Sequence, residues 1–326
     1  MDRTERKRVN RTLLAGLVAA TIGPLFLGAT SAQEPFNLDQ LRHHALNLVN
    51  AARREHGLSP LQLGSSLNQA SQKHADDMLR RRYYAHTSPE GNDVQDRYTN
   101  AGGSRWRLVE ENIARCAGCQ PPVSEKSVDR LQQGWMNSPH HRENILRQGL
   151  DRFGYGIVDD GEHGLYAVQT FAGPGTPRGV QPDETAAVLG PEQVLFRMVQ
   201  IVNAAREKKQ LPPLKRSDAL SEVARSLMPP PGSEQITLQE GGRDLFEKLP
   251  PDRRQVWSSI GVIVGACGGC GTESTLADLR YFREQWLEGP RYEDHLFDPS
   301  ATDLGFALQV NGKGRKVALA VVGAAR

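Results

Sequence analysis

The sequence predicts an α+β fold written twice, and three observations carry that expectation. Apolar residues recur at helical spacing over 38–52 and 65–78, β-rich runs follow at 153–158 and 165–171, and LVNAARREHGLSPL (48–61) returns as IVNAAREKKQLPPL (201–214). A repeated block that combines both periodicities points to two homologous layered domains.

The chain opens on basic MDRTERKRVNR, continues with an apolar run over 13–29 and reaches the small residues Thr30, Ser31 and Ala32. That is the layout of a signal peptide spanning 1–32, cleaved after Ala32. The run is short for a membrane span and carries Gly16, Gly23, Pro24 and Gly28, and no second run of its kind follows. The mature chain is therefore expected to be secreted, extracytoplasmic and without a membrane span. Five basic and two acidic residues leave with the leader, lowering the formal charge of +2 by three, to −1. A near-neutral chain without a long Lys/Arg block lacks the electrostatic footprint of a nucleic-acid partner. With 38% hydrophobic and 24% charged residues, the composition excludes a disordered chain.

In the first copy, Leu38, Leu41, Ala45, Leu48, Val49 and Ala52 mark one amphipathic helix, and Leu67, Ala70, His74 and Met78, after a Ser65-Ser66 start, mark a second. Val128, Leu131 and Trp135 mark a third. FGYGIV (153–158) and LYAVQTF (165–171) read as strands joined by a turn at DDGEHG, and LVEENI (108–113) reads as another strand. A Gly/Pro-rich stretch without periodicity separates the copies. The expected organisation is a first domain over 38–175, a linker over 176–190 and a second domain over 191–326.

Four cysteines in an exported chain allow three pairings, and the repeat favours local closure, Cys116 with Cys119 and Cys267 with Cys270. Two alternatives use the same residues. A redox Cys-x-x-Cys usually opens a helix, whereas CAGC here runs into Gln120-Pro121-Pro122. A four-cysteine zinc site would have to bridge the two copies.

In order along the first copy, LVNAARREHGLSPL, LNQASQKHADDM, YYAHTSPEG, EENIA, GWMNSPHHRENIL, FGYGIV and YAVQTFA resemble the CAP superfamily (SCP; cysteine-rich secretory, antigen 5 and pathogenesis-related) in its bacterial form, over about 40–172. The resemblance implies an α-β-α sandwich CAP domain with a cleft in which histidines and acids converge. Its motif positions fall on His86, Glu111 and His141. Many eukaryotic members carry a further Glu three residues after the motif Trp, where this chain has Ser138. The implied function is binding of a ligand or divalent metal, with zinc as the cofactor held by His86 and His141 and with envelope material, a lipid or a peptide as partner. The alternative is a metal-dependent hydrolase using a zinc-activated water, with Glu111 as base or ligand.

The residues by themselves are compatible with that chemistry, because two imidazoles and a carboxylate can hold Zn²⁺ beside a water. Their separations, 25 residues from His86 to Glu111 and 30 more to His141, are unlike the compact pair of a zinc protease and do not by themselves indicate a metal. Each residue has a plainer reading too. His86 can cap its Ser/Pro/Gly-rich turn, Glu110 and even Glu111 can be solvated strand-end acids, and His74 on its apolar helix face can be a hydrogen-bonded core or cleft-lining histidine. Adjacent His140 and His141 on a helix point about 100° apart, so only one serves the cleft. Trp135 reads as core, and Asn112 and Asn144 as amides that hold turns. No Gly-x-Ser-x-Gly elbow accompanies Ser88 or Ser138, whose closeness to the histidines is one of sequence alone.

The second copy keeps Trp286, Gly305 and its cysteines but places Val262 opposite Glu111 and Tyr292 opposite His141, and 215–260 contains no histidine. It is expected to be a degenerate, noncatalytic CAP-like domain.

Overall fold

The computed structural model describes residues 37–119, 122–162, 164–236 and 245–326. The signal peptide expected at 1–32 lies outside the described residues. Helix α1 (Leu38–Glu55) begins where the Asn37 side chain accepts the N–H groups of Asp39 and Gln40, and it buries Leu41, Ala45, Val49 and Ala52 along one stripe. Strand β1 (Gln62–Leu63) leads into α2 (Ser65–Arg81). A capping box of Asp93 and Asp96 starts the short α3 (Val94–Asn100), which precedes β2 (Leu108–Cys116). Helix α4 (Glu125–Asn137) is followed at once by α5 (Pro139–Ile145), whose first position holds a proline that needs no N–H partner there. The hairpin of β3 (Arg152–Asp159) and β4 (Leu165–Gly173) completes the first half.

These strands order as β1-β3-β4-β2, with β1 parallel to β3 and the other pairs antiparallel. Every residue of β4 is buried, because helices cover both faces of the sheet. Leu165, Ala167 and Phe171 join the stripes of α1, α4 and α5 in the larger core, whereas Tyr166 and Val168 meet Ala75 and Met78 of α2. This is the expected α+β layering, with helix, sheet and helix stacked.

The second half runs α6 (Pro191–Lys208), β5 (Lys215–Arg216), α7 (Asp218–Ser226), β6 (Trp257–Cys267), α8 (Leu276–Leu287), α9 (Pro290–Leu296), β7 (Asp303–Val310) and β8 (Lys316–Ala325). Its strand order, β5-β7-β8-β6, is that of the first sheet. The ladders match in register: Glu111 lies opposite Thr170 and Thr170 opposite Gly154, as Val262 lies opposite Val321 and Val321 opposite Gly305.

The repeated Asn-Ala-Ala-Arg serves the same purpose in both halves. Asn50 bonds both backbone groups of Leu61, and Asn203 both of Leu214. Arg53, buried, donates to the carbonyls of Ser59, Ile145 and Arg147, and Arg206 donates to those of Pro212, Leu296 and Asp298. Each arginine thus satisfies the carbonyls at a distant helix end.

Both cysteine pairs close locally, Cys116 with Cys119 and Cys267 with Cys270, which leaves no thiol for the four-cysteine zinc site. The second loop lies where the halves meet: Gly269 N–H donates to Trp106 O at 2.8 Å, Gly271 N–H donates to Pro174 O at 2.8 Å, and the Trp106 indole donates to Glu234 O at 2.9 Å. The Gly/Pro-rich stretch between the halves is laid along the second one, with Leu189 N–H on Ser274 O at 2.8 Å and Glu184 paired with Arg280.

Helix α2 packs so closely on β3 that a Cβ on Gly154 would stand 2.3 Å from the Leu67 carbonyl carbon, and one on Gly305 would stand 2.2 Å from that of Leu220. Gly154→Ala is expected to destabilise the chain by about 1–3 kcal/mol through overpacking. Urea denaturation checks this, and an unchanged midpoint would show that the helix can move away.

Candidate functional site

The site forms at the outer edge of β2, where the loop after α2, helix α3 and helix α5 converge. Successive side chains of a strand face opposite ways. Glu111 accordingly points to the side of α2 and α3, and Asn112 to the side of α5. The Glu111 side chain is 3% exposed, and both of its oxygens are engaged: Oε1 lies 2.9 Å from His86 Nδ1, and Oε2 accepts from Arg97 at 2.6 Å. The guanidinium is itself nearly buried and donates also to Asn92 O at 2.9 Å.

The His86 ring is 56% exposed. In its neutral form it donates from Nδ1 to Glu111, which leaves Nε2 as the lone-pair nitrogen. His74, 1% exposed on α2, holds the loop that carries His86: its Nε2 donates to Ala85 O at 3.0 Å and stands 4.0 Å from Glu111 Oε1. The core or cleft-lining reading of His74 thus describes one side chain with both duties. Tyr84 of the same loop donates to Ile113 O at 3.1 Å.

His141 enters from α5, half-buried, with its pKa held below the ordinary histidine value by burial first and then by the charges of His86 and His140. Asn112 donates to His141 O at 3.1 Å, and Asn144 donates to Glu111 O at 3.1 Å and to Asn112 Oδ1 at 2.9 Å. The two amides hold the turns, as their residue type suggests. His140 is exposed. Glu110 is not a free solvated acid: it pairs with Arg147 at 3.1 Å. Ser138 ends α4 and begins α5, and Ser88 Oγ accepts the Asn92 N–H.

The structure therefore gathers His86, Glu111 and the electrostatic neighbourhood of His141, and adds Arg97. Sequence reasoning did not single out Arg97, because its 14-residue distance from Glu111 belongs to no motif. The one signal that could have led there is the Asp93/Asp96 capping box, which announces the helix that carries it.

The donor set can be weighed against the implied zinc. Glu111 is already committed to a guanidinium and an imidazole, so it orients His86 and is not free to ligate. Among the described residues no group of three or more His, Cys, Asp and Glu side chains is placed to hold a metal ion.

With this geometry in view, the likeness to known proteins can be stated. Residues 46–171 match the model of the CAP family, the Cysteine-rich secretory protein family. Over 132 residues the chain is 30% identical to the uncharacterized protein YkwD of Bacillus subtilis (strain 168), covering 40% of this chain and 48% of that protein. Over 112 residues it is 29% identical to the uncharacterized membrane protein YlbC of the same organism, covering 34% of this chain and 30% of that protein. The chain thus spans less than half the length of these relatives. An extracellular protein containing a SCP domain from Bacillus anthracis matches at 27% identity with a TM-score of 0.34, over 43% of this chain and 44% of that one. Among the described residues no helix is long and apolar enough to cross a membrane.

Two predictions follow the electrostatics. Arg97→Ala strands the buried Glu111 carboxylate and is expected to cost about 3–5 kcal/mol, most of it recovered when Glu111→Gln is added; a double-mutant cycle by chemical denaturation measures the coupling. Burial lowers the pKa of His74, its largest cause, as it does that of His141. The unfolded chain, titrating near the ordinary ~6.5, then takes up protons first as pH falls, so stability is full above that value and declines below it. Denaturation at pH 7.5 and at pH 5 tests the sign, and His74→Gln should flatten the slope.

Proposed function

We propose that this is an extracytoplasmic CAP-domain protein whose first half binds a ligand or a divalent metal through the His86/Glu111/His141 cleft. The observation that carries the reading is the chain of contacts from Arg97 through Glu111 to His86, which fixes an exposed imidazole before any ligand arrives. Pre-set orientation lowers the entropy cost of binding. His141, kept neutral near pH 7 by its lowered pKa, offers a second lone pair.

A divalent metal, when bound, would supply a Lewis acid at this place, and His86 and His141 would hold it. The chain's own residues orient His86, engage both Glu111 oxygens and leave the imidazole edge open to a partner. Binding is preferred to hydrolysis because Glu111, the base or ligand of the hydrolytic reading, has both oxygens occupied. Envelope material, a lipid or a peptide are the partner classes of this reading.

The second half, in this reading, is a degenerate copy of the same domain. Its support is the shared strand order and the register that sets Val262 at the position of Glu111. The binding chemistry is then confined to the first half.

Envelope extract passed over the immobilised protein tests the proposal. The wild type should retain a component that His86→Ala with His141→Ala does not, and equal retention would overturn the cleft assignment. Zinc titration of the same pair separates the metal branch: the wild type should take up zinc, the double variant should not, and Glu111→Gln should weaken uptake about 10–100-fold by releasing the His86 ring.

A further inference from the structure

An open cavity of about 790 Å³ adjoins the cleft and shares His74, Ser88 and Arg97 with it. The exposed side and last turn of α2 form its other wall. Each carboxylate on the lining already accepts a hydrogen bond from within the protein. Asp76 takes Gln72 at 2.9 Å, Asp77 takes Arg80 at 2.6 Å and Tyr83 at 2.9 Å, Glu90 pairs with Arg81 at 2.7 Å, and Asp160 takes the Glu162 N–H at 3.0 Å.

The donors left over are cationic. Among the described residues the side chains of Lys73 and Arg82 have no hydrogen-bond or ion-pair partner, and the buried Nε of Arg97 has no acceptor. Arg82 is unusual in a second, independent way. It caps α2 in the left-handed region, at φ 57° and ψ 42°, a position where glycine is favoured because a Cβ is crowded there. Its side chain is exposed, so packing gives no reason for a guanidinium at a strained cap. Strain of this kind is kept where a side chain has work to do.

We propose that this cavity is an anion subsite: phosphate, sulfate or carboxylate oxygens of a ligand are held by the Arg82 guanidinium and the Lys73 ammonium, with Arg97 at the inner end. The planar guanidinium suits two oxygens at once, and the ammonium adds a point charge. The name subsite rests on reading the His86/Glu111/His141 cleft as a binding site, whereas capture of the anion itself does not involve the imidazoles.

The test is titration of the full chain with inorganic phosphate, followed by calorimetry or amide NMR shifts. The wild type should saturate. Arg82→Gly and Lys73→Ala should each weaken binding about tenfold, the loss of one charge-assisted contact. Arg82→Gly should at the same time keep or raise the thermal midpoint, since glycine relieves the left-handed cap, so weaker binding cannot be put down to misfolding. No saturable phosphate binding by the wild type, or wild-type affinity in both variants, would overturn the proposal. His86→Ala should bind phosphate as the wild type does; if it does so while envelope retention proves insensitive to the histidines, the cleft reading fails and the anion site stands. Sedimentation with phosphatidylglycerol vesicles adds the source: Arg82-dependent co-sedimentation assigns the anion to a lipid headgroup, and phosphate binding without it assigns a soluble anion, both in keeping with the site.

Discussion

Strand β2 has a hydrogen-bonded neighbour on one side only, and the satisfaction of its free edge shapes everything around the cleft. The outward carbonyl of Ile113 accepts the Trp135 indole and the Tyr84 hydroxyl, each at 3.1 Å, and that of Glu111 accepts the Asn144 amide at 3.1 Å. An open strand edge is a liability that invites foreign pairing. Here the covering donors come from α4, from the loop after α2 and from α5. The last two of these carry His86 and His141, so the contacts that close the edge also bring His86 to Glu111 and hold the backbone of His141 beside it.

A buried carboxylate sets the second constraint. An uncompensated charge in the interior costs several kcal/mol, whereas one neutral hydrogen bond contributes about 1 kcal/mol, so the His86 contact alone would not offset the burial of the Glu111 side chain. The Arg97 guanidinium decides the balance, and α3 exists at this place to present it. The second sheet resolves the same position differently. Val262 faces Val321 there, and an apolar pair needs no counter-ion, as expected when a buried ion pair is replaced by side chains that pack. The fold survives either solution, but only the first leaves a polar cleft.

Long, strongly periodic elements were readable in the sequence, and short or long-range ones were not. The stripes of Leu41, Ala45, Val49 and of Leu67, Ala70, Met78 announce α1 and α2, since each spans several turns of one buried face. Helix α3 has seven residues, too few for a period, and β1 has two. The Asn-Ala-Ala-Arg repeat was visible as text, yet the reason for its arginine is a set of carbonyls 92 and 94 residues away in the first half. Of the site, the His86–Glu111 pair followed from motif resemblance and Arg97 did not, because the ion pair that joins it to Glu111 is a product of packing.

The cysteine loops show how one local device takes on unequal duties. The Cys116–Cys119 loop lies at the far end of β2 with its intervening residues Ala117 and Gly118 exposed. The loop closed by Cys267 and Cys270 is instead sandwiched, its backbone donating to Trp106 and Pro174, and a Cβ on Gly269 would come within 3.1 Å of Leu108. Leu108 is the first residue of β2 and Pro174 directly follows β4. The second half therefore braces the strand pair that carries Glu111 at the end opposite the first disulfide. A loop made of Cys-Gly-Gly-Cys suits that place, since its glycines allow backbone to approach backbone and its disulfide limits the freedom those glycines would otherwise bring. A cysteine turn without a neighbouring acid is then consistent chemistry: the second half has Val262 at the register position of Glu111, yet its own cysteine turn is what supports the first half.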